Sequence, residues 1–123
     1  MNQDHSQERR RDPRLENNIP LKIKLDGGDV VTETVNISRS GAYCRVTEYI
    51  EPMTKLDIHL LLPVRKNGKD VTKKVACQGV VVRVEPVDQT TNFNIAVFFN
   101  DITQRDSETI ADYIGSHLEG QSN

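Results

Sequence analysis

The chain has 123 residues, 36% of them hydrophobic and 28% charged, which suits one domain built on one small core. Its net charge of −2 and pI of about 5.9 exclude a general polyanion binder, because non-specific nucleic-acid affinity rests on a basic surface that neutralises phosphates. No apolar run approaches the ~20 residues of a membrane span, and Met1-Asn2-Gln3-Asp4-His5 opens no signal peptide, so a cytoplasmic protein is expected.

Residues 1–8 and 119–123 are polar or lack periodicity and are expected to be disordered, leaving 9–118 as a single domain. The stretch Glu8-Arg9-Arg10-Arg11-Asp12-Pro13-Arg14 then places four arginines within six residues. Pro13 pushes Asp12 toward extended geometry, so this stretch reads as an arm rather than a helix. Taken alone, it reads equally as a solvated charge run.

From Ile19 the apolar residues Ile19, Leu21, Ile23 and Leu25 alternate with Pro20, Lys22 and Lys24, predicting a strand with one buried face. Asp26-Gly27-Gly28-Asp29 is a tight turn, and further strands follow over 30–35 and 42–46, the latter with Ala42, Cys44 and Val46 on one face. The loop between them is Asn36-Ile37-Ser38-Arg39-Ser40-Gly41. In extended geometry Asn36 and Ser38 share a face, and Gly41 permits either a positive φ or the close approach of a ligand. The plainer alternative is a connection in which Asn and Ser bond their own backbone and Gly supplies the turn.

Glu51-Pro52 breaks the chain before a strand over 56–62, whose Leu56, Ile58, Leu60 and Leu62 point inward while Asp57 and His59 point out. Residues 63–70 read as a charged loop turning at Lys66-Asn67-Gly68. A long β region over 71–84 carries Gly79, where a bulge or close contact belongs. After a connection over 85–92, Phe93, Ile95, Val97 and Phe99 alternate in a last core strand. The period changes over 103–118: Thr103 is an N-cap, Asp106 and Glu108 suit the first turn, and Ile110, Ile114 and Leu118 form one stripe. The expected fold is all-β, a six- to seven-stranded antiparallel β-barrel closed at one end by a C-terminal α-helix.

No chemistry of an enzyme is legible. The three histidines fall at a terminus, an outward strand face and a helix end, away from any nucleophile, and no metal-ligand spacing or phosphate-binding glycine motif occurs. Cys44 and Cys77 are too far apart for a C-x-x-C motif and read as buried free thiols. A binding module is the expectation.

Arg10 and Arg14 have the spacing R-x-x-x-R, and about twenty residues later Asn36-x-Ser38-x-x-Gly41 has the pattern D/N-x-S-x-x-G. Together, in this order and in a chain of β pattern, they resemble the PilZ domain family, over residues 9–118. Members of that family bind the bacterial second messenger cyclic di-GMP, so the resemblance implies this ligand, with no cofactor and no metal. It implies that Arg10 and Arg14 grip phosphate or the guanine edge, chemistry that a planar guanidinium suits. It further implies that Asn36 and Ser38 hydrogen-bond the ligand, Gly41 allows its approach and the backbone near Arg39 helps. Arg83, four residues after Gly79, matches a family position that often carries a long or aromatic side chain near the ligand. Arg9, directly before the pair, matches one that accompanies binding of two stacked ligands. The implied protein is a stand-alone, monomeric bacterial receptor whose arm orders on binding and signals to an unknown downstream protein in motility, biofilm or exopolysaccharide control. Two other classes stay open: a PilZ-fold scaffold acting through protein contacts, and a small barrel using its arginine arm on RNA. The intact motif residues argue against the first, and the acidic pI with three Phe, three Tyr and no Trp argues against the second.

Overall fold

The computed structural model describes residues 14–25 and 27–121. It contains six strands, β1 (Pro20–Leu25), β2 (Gly28–Ser38), β3 (Gly41–Val46), β4 (Lys55–Lys66), β5 (Lys69–Pro86) and β6 (Phe93–Asp101), followed by one helix, α1 (Gln104–Gln121). Every pairing is antiparallel, and the strands close in the order β1-β2-β3-β6-β5-β4, with β4 returning to β1. Two three-stranded meanders are thus joined along both edges, which leaves the body of the barrel without an open edge.

The alternation read from the sequence sets which side chains line the interior. Leu21 and Ile23 of β1, Leu56, Ile58, Leu60 and Leu62 of β4, Ala42, Cys44 and Val46 of β3, and Ile95, Val97 and Phe99 of β6 are all buried. Helix α1 closes one end, touching β2, β4 and β5 with Ile110, Tyr113 and Ile114 against the core. Thr103 caps it: its Oγ1 accepts the Asp106 N–H at 3.1 Å, satisfying a donor that the helix itself leaves orphaned. Tyr113, three residues after Ile110, belongs to the same face and completes a stripe that the four-residue spacing had described too narrowly.

Three expectations need correction. Asn36, Ile37 and Ser38 are not loop but the end of β2, which runs to Ser38 because β3 and the chain at Leu15 both pair with it. Residues 63–70 are not a charged loop either: β4 and β5 stay paired out to Lys66 and Lys69, turning at Asn67 (φ 54°) and Gly68 (φ 77°). Two successive positive φ values match the twist of a two-residue hairpin. Pro63 is tolerated there because β4 has lost its β1 neighbour after Leu60, so the missing N–H belongs to an edge. The helix, expected to end at Leu118, continues to Gln121, since one glycine at 120 disfavours helix by only ~1 kcal/mol. The disorder expected over 1–8 lies outside the described residues.

Gly79 sits where the β5–β6 register shifts, and a Cβ there would lie 2.6 Å from Val97 Cγ1 and 2.7 Å from Ile58 Cδ1. Bulge and close packing coincide, as expected of it. Both cysteines are free, Cys44 fully buried and Cys77 partly so. Desolvation pushes each thiol from 9.0 up to about 12, helped at Cys77 by the nearby Asp106 and Asp101 carboxylates.

Candidate nucleotide-binding site

The site begins with how the chain enters the barrel. Leu15 forms an antiparallel bridge with Ile37, donating N–H to Ile37 O at 2.9 Å and accepting from Ile37 N at 3.0 Å, and its side chain is buried. Between this bridge and β1, buried Thr34 acts as a clamp. Its Oγ1 donates to Asn17 O at 2.6 Å and accepts from Ile19 N at 3.0 Å, while Asn18 Nδ2 donates to Thr34 O at 2.9 Å. The Ile19–Thr34 bond is buried and the Asn17 and Asn18 bonds are half-buried, so this clamp holds residues 15–19 to the barrel wall. Arg14 emerges from that anchored segment, and its Nη1 donates to Asn36 Oδ1 at 2.6 Å. The second arginine of R-x-x-x-R is therefore in contact with the first residue of the downstream motif. Arg9 and Arg10 lie outside the described residues.

Beyond Asn36 the chain makes a tight turn built on Ser38. Ser38 is fully buried, and its Oγ accepts the Ser40 N–H at 3.2 Å, lies 3.2 Å from Ser40 Oγ and donates to Gly41 O at 3.4 Å. This is a serine-stabilised turn. Gly41 does not adopt the positive φ that the sequence allowed for. Instead, a Cβ at that position would collide with the Val97 carbonyl oxygen and lie 3.4 Å from Phe98 Cα. The close approach that requires glycine is made by the backbone of β6, whose Phe99 N donates to Ser40 O at 2.9 Å. Arg39 stands exposed at the tip of the turn.

Strand register extends the site sideways. Asn36 pairs with Tyr43, Tyr43 with Ala96 and Ala96 with Arg83, so these four residues form one row on the outer face. Three strand spacings separate Asn36 from Arg83, about 14 Å along the sheet. The next row holds Ser38, Gly41, Phe98 and Val80. With Gly41 and Ala96 at its centre, the surface between Arg14 and Arg83 has a low floor, on which Phe98 stands 48% exposed. Tyr43 and Phe98 are the site-facing residues that motif reasoning missed. Phe98 was legible as the aromatic out of phase with Ile95, Val97 and Phe99. Arg83 is exposed and held by Glu85, Nε to Oε2 at 3.6 Å, while the other carboxylate oxygen accepts from Tyr43 Oη at 2.6 Å. That hydrogen bond, with some burial, raises the Tyr43 hydroxyl above its ordinary 10.0. In the adjoining row Asn94 Oδ1 is buried without a hydrogen-bond partner among the described residues.

A family model for the PilZ domain matches residues 8–116, nearly the whole chain and both halves of the motif. The chain belongs to the PilZ family. No curated protein matches the sequence. Among solved structures, this PilZ chain is similar to the Bacillus subtilis inhibitor of motility (MotI/DgrA), with a TM-score of 0.81 at 16% identity, covering 93% of this chain and 53% of that one. It therefore spans about half the length of that relative. It is also similar to the PilZ domain of YcgR from Escherichia coli, solved with c-di-GMP, with a TM-score of 0.61 at 12% identity over 93% of this chain and 94% of that one. At such identities the likeness is one of fold, the six-stranded PilZ barrel with its C-terminal helix.

Proposed function

We propose that this PilZ protein is a receptor for cyclic di-GMP, a binding module rather than an enzyme, and that the outer face from Arg14 and Asn36 toward Arg83 is its ligand surface. The observation that carries the reading is the 2.6 Å contact between Arg14 and Asn36, which brings together two motif halves 22 residues apart. The ligand is a dianion with two flat guanines. Arginine serves both features, gripping phosphate or guanine O6 and N7 bidentately and stacking through its planar face.

Covalent reach ties Arg10 to that surface. Four residues span at most ~14 Å, so Arg10 stays within that distance of Arg14. In the proposed complex Arg10 and Arg14 contact the ligand, Asn36 exchanges its arginine contact for a guanine or phosphate, and Arg39 and Arg83 border the ends. Ser38 and Gly41 act by shaping the turn. Folding of the arm over the bound dianion creates the surface that a downstream protein reads. Arg9 supplies a third guanidinium, which offsets the repulsion of four phosphates if two ligands stack.

Calorimetric titration with cyclic di-GMP, beside GTP and a short RNA, tests the reading. Each arginine contact is a charge-assisted bond of ~1.5–3 kcal/mol, so Arg10→Ala or Arg14→Ala weakens binding about ten- to a hundredfold. Unchanged affinity in the double variant, or a preference for RNA, overturns the assignment. A fall from two ligands to one in Arg9→Ala supports the stacked pair, and one ligand in both proteins rejects it.

A further inference from the structure

Arg14 and Asn36 also face away from Arg83. On that side, where the chain at Leu15 lies along β2 and α1 closes the barrel, they line a cleft of about 390 Å³ together with Leu15, Glu16 and Leu118. This is near the lower end of the ~300–1,000 Å³ of small-molecule sites, a size that suits one base of a larger ligand.

The backbone explains why these side chains meet. Leu15 is bridged to Ile37 and its side chain is buried, so Arg14 and Glu16 on either side of it project outward, and both are exposed. Because the bridge is antiparallel, it also brings Glu16 alongside Asn36. Glu16 is two positions from Arg14 yet forms no ion pair among the described residues, since the guanidinium donates to Asn36 Oδ1 at 2.6 Å instead. Leu118, half-buried and packed against the core, gives the cleft an apolar wall.

The carboxylate is the anomaly. A fixed negative charge in the site of a dianion repels it, unless that charge accepts hydrogen bonds from the ligand. Guanine can donate them: its N1–H and 2-amino group are adjacent donors that match the two oxygens of a carboxylate, while O6 and N7 accept from arginine. Adenine has an acceptor at N1 and no donor at C2. We propose that Glu16 is a guanine-selecting residue, its carboxylate accepting the N1–H and 2-amino hydrogens of one base that lies against Leu118 with O6 and N7 toward Arg14. The inference rests on the cyclic di-GMP reading and assigns base selectivity within it.

The sign of one substitution tests it. If Glu16 is only a bare charge, Glu16→Gln removes repulsion and tightens cyclic di-GMP binding; if it reads guanine, the same change sets an amide donor against guanine's donors and weakens binding at least about tenfold. Calorimetry on wild type, Glu16→Gln and Glu48→Gln, with cyclic di-GMP and its inosine analogue lacking both 2-amino groups, measures this. Glu48 is exposed beyond Val46, at the opposite end of β3 from Gly41, so Glu48→Gln carries the same charge change away from the site. The expected result is weakening in Glu16→Gln alone, with the analogue about tenfold weaker than cyclic di-GMP on wild type and only a few-fold weaker on Glu16→Gln. Equal or tighter binding by Glu16→Gln, equal weakening in Glu48→Gln, or an analogue penalty unchanged by Glu16→Gln overturns the assignment and leaves the receptor reading standing. Failure of the wild type to bind cyclic di-GMP overturns both. Glu16 is exposed, and circular dichroism verifies that the variants fold.

Discussion

Replacement of Gly41 by alanine separates two reasons for a glycine in the D/N-x-S-x-x-G motif. The added Cβ points into backbone, the Val97 carbonyl, with the Val97 carbonyl carbon at 3.3 Å and Phe98 Cα at 3.4 Å. Backbone in a closed barrel cannot swing aside as a flexible side chain would, so β3 and β6 must separate at a point where Gly41 pairs directly with Phe98. Overpacking of this kind costs about 1–3 kcal/mol, and the loss is offset by at most ~1 kcal/mol from alanine's smaller conformational entropy in a strand. The expected net is a destabilisation of about 1–2 kcal/mol, which for a chain of this length lowers Tm by roughly 4–10 °C. Gly115→Ala is the opposite case, since at this half-buried position of α1 the added Cβ meets nothing within 4 Å. It should stabilise by about 0.5–1 kcal/mol. Urea melts followed by circular dichroism on both variants decide the matter. A Gly41→Ala protein as stable as wild type, with cyclic di-GMP affinity lost, would show that the glycine serves ligand approach and not packing of β6.

Thr34→Val keeps shape but leaves Ile19 N and Asn17 O without their buried partner, so a loss of about 2–4 kcal/mol is expected, with faster hydrogen exchange at Ile19. An unchanged melt would mean that water replaces the hydroxyl. Thr103→Ala removes the cap of α1 and should cost about 1 kcal/mol in the same urea assay, with Thr103→Ser restoring most of it. For Cys44, a folded-state value of about 12 against an ordinary 9.0 means that the folded chain holds its proton more tightly. That contribution is complete below pH 9 and is lost as pH rises toward 12, a limb on the order of 4 kcal/mol. Cys44→Ala should flatten the alkaline decline in Tm, and an identical slope in the variant would refute the assignment.

The barrel was legible where one face is buried and the other wet. Leu56 through Leu62 and Phe93 through Phe99 show the two-residue period because the lumen admits only apolar side chains. The misreadings share a cause. Pro63, Arg65, Lys66 and Asp70 look like loop composition, but a ribbon with two free edges and two solvated faces makes no demand for alternation. At the motif, Asn36 and Ser38 look like turn chemistry, and Ser38 does build a turn, but strand pairing reaches through it. Leu15 belongs to the core although it follows four arginines in six residues; only the bridge to Ile37, a contact across 22 positions, reveals this. The apposition of Arg14 with Asn36 is of the same kind, suggested by the family pattern but supplied by tertiary structure.

The bridge at Leu15 also changes how the arginines count. An arginine on a separate molecule would have to be gathered from solution, whereas Arg10 is confined to a sphere of radius ~14 Å around an anchored point. One group in that volume corresponds to a local concentration on the order of 0.1 M. On the proposed reading, arm and barrel would therefore act as a chelating pair, in which the first contact with a ligand makes the second nearly unimolecular. Lengthening the tether between Arg10 and Arg14 with glycines would dilute this advantage without touching a single contact in the barrel.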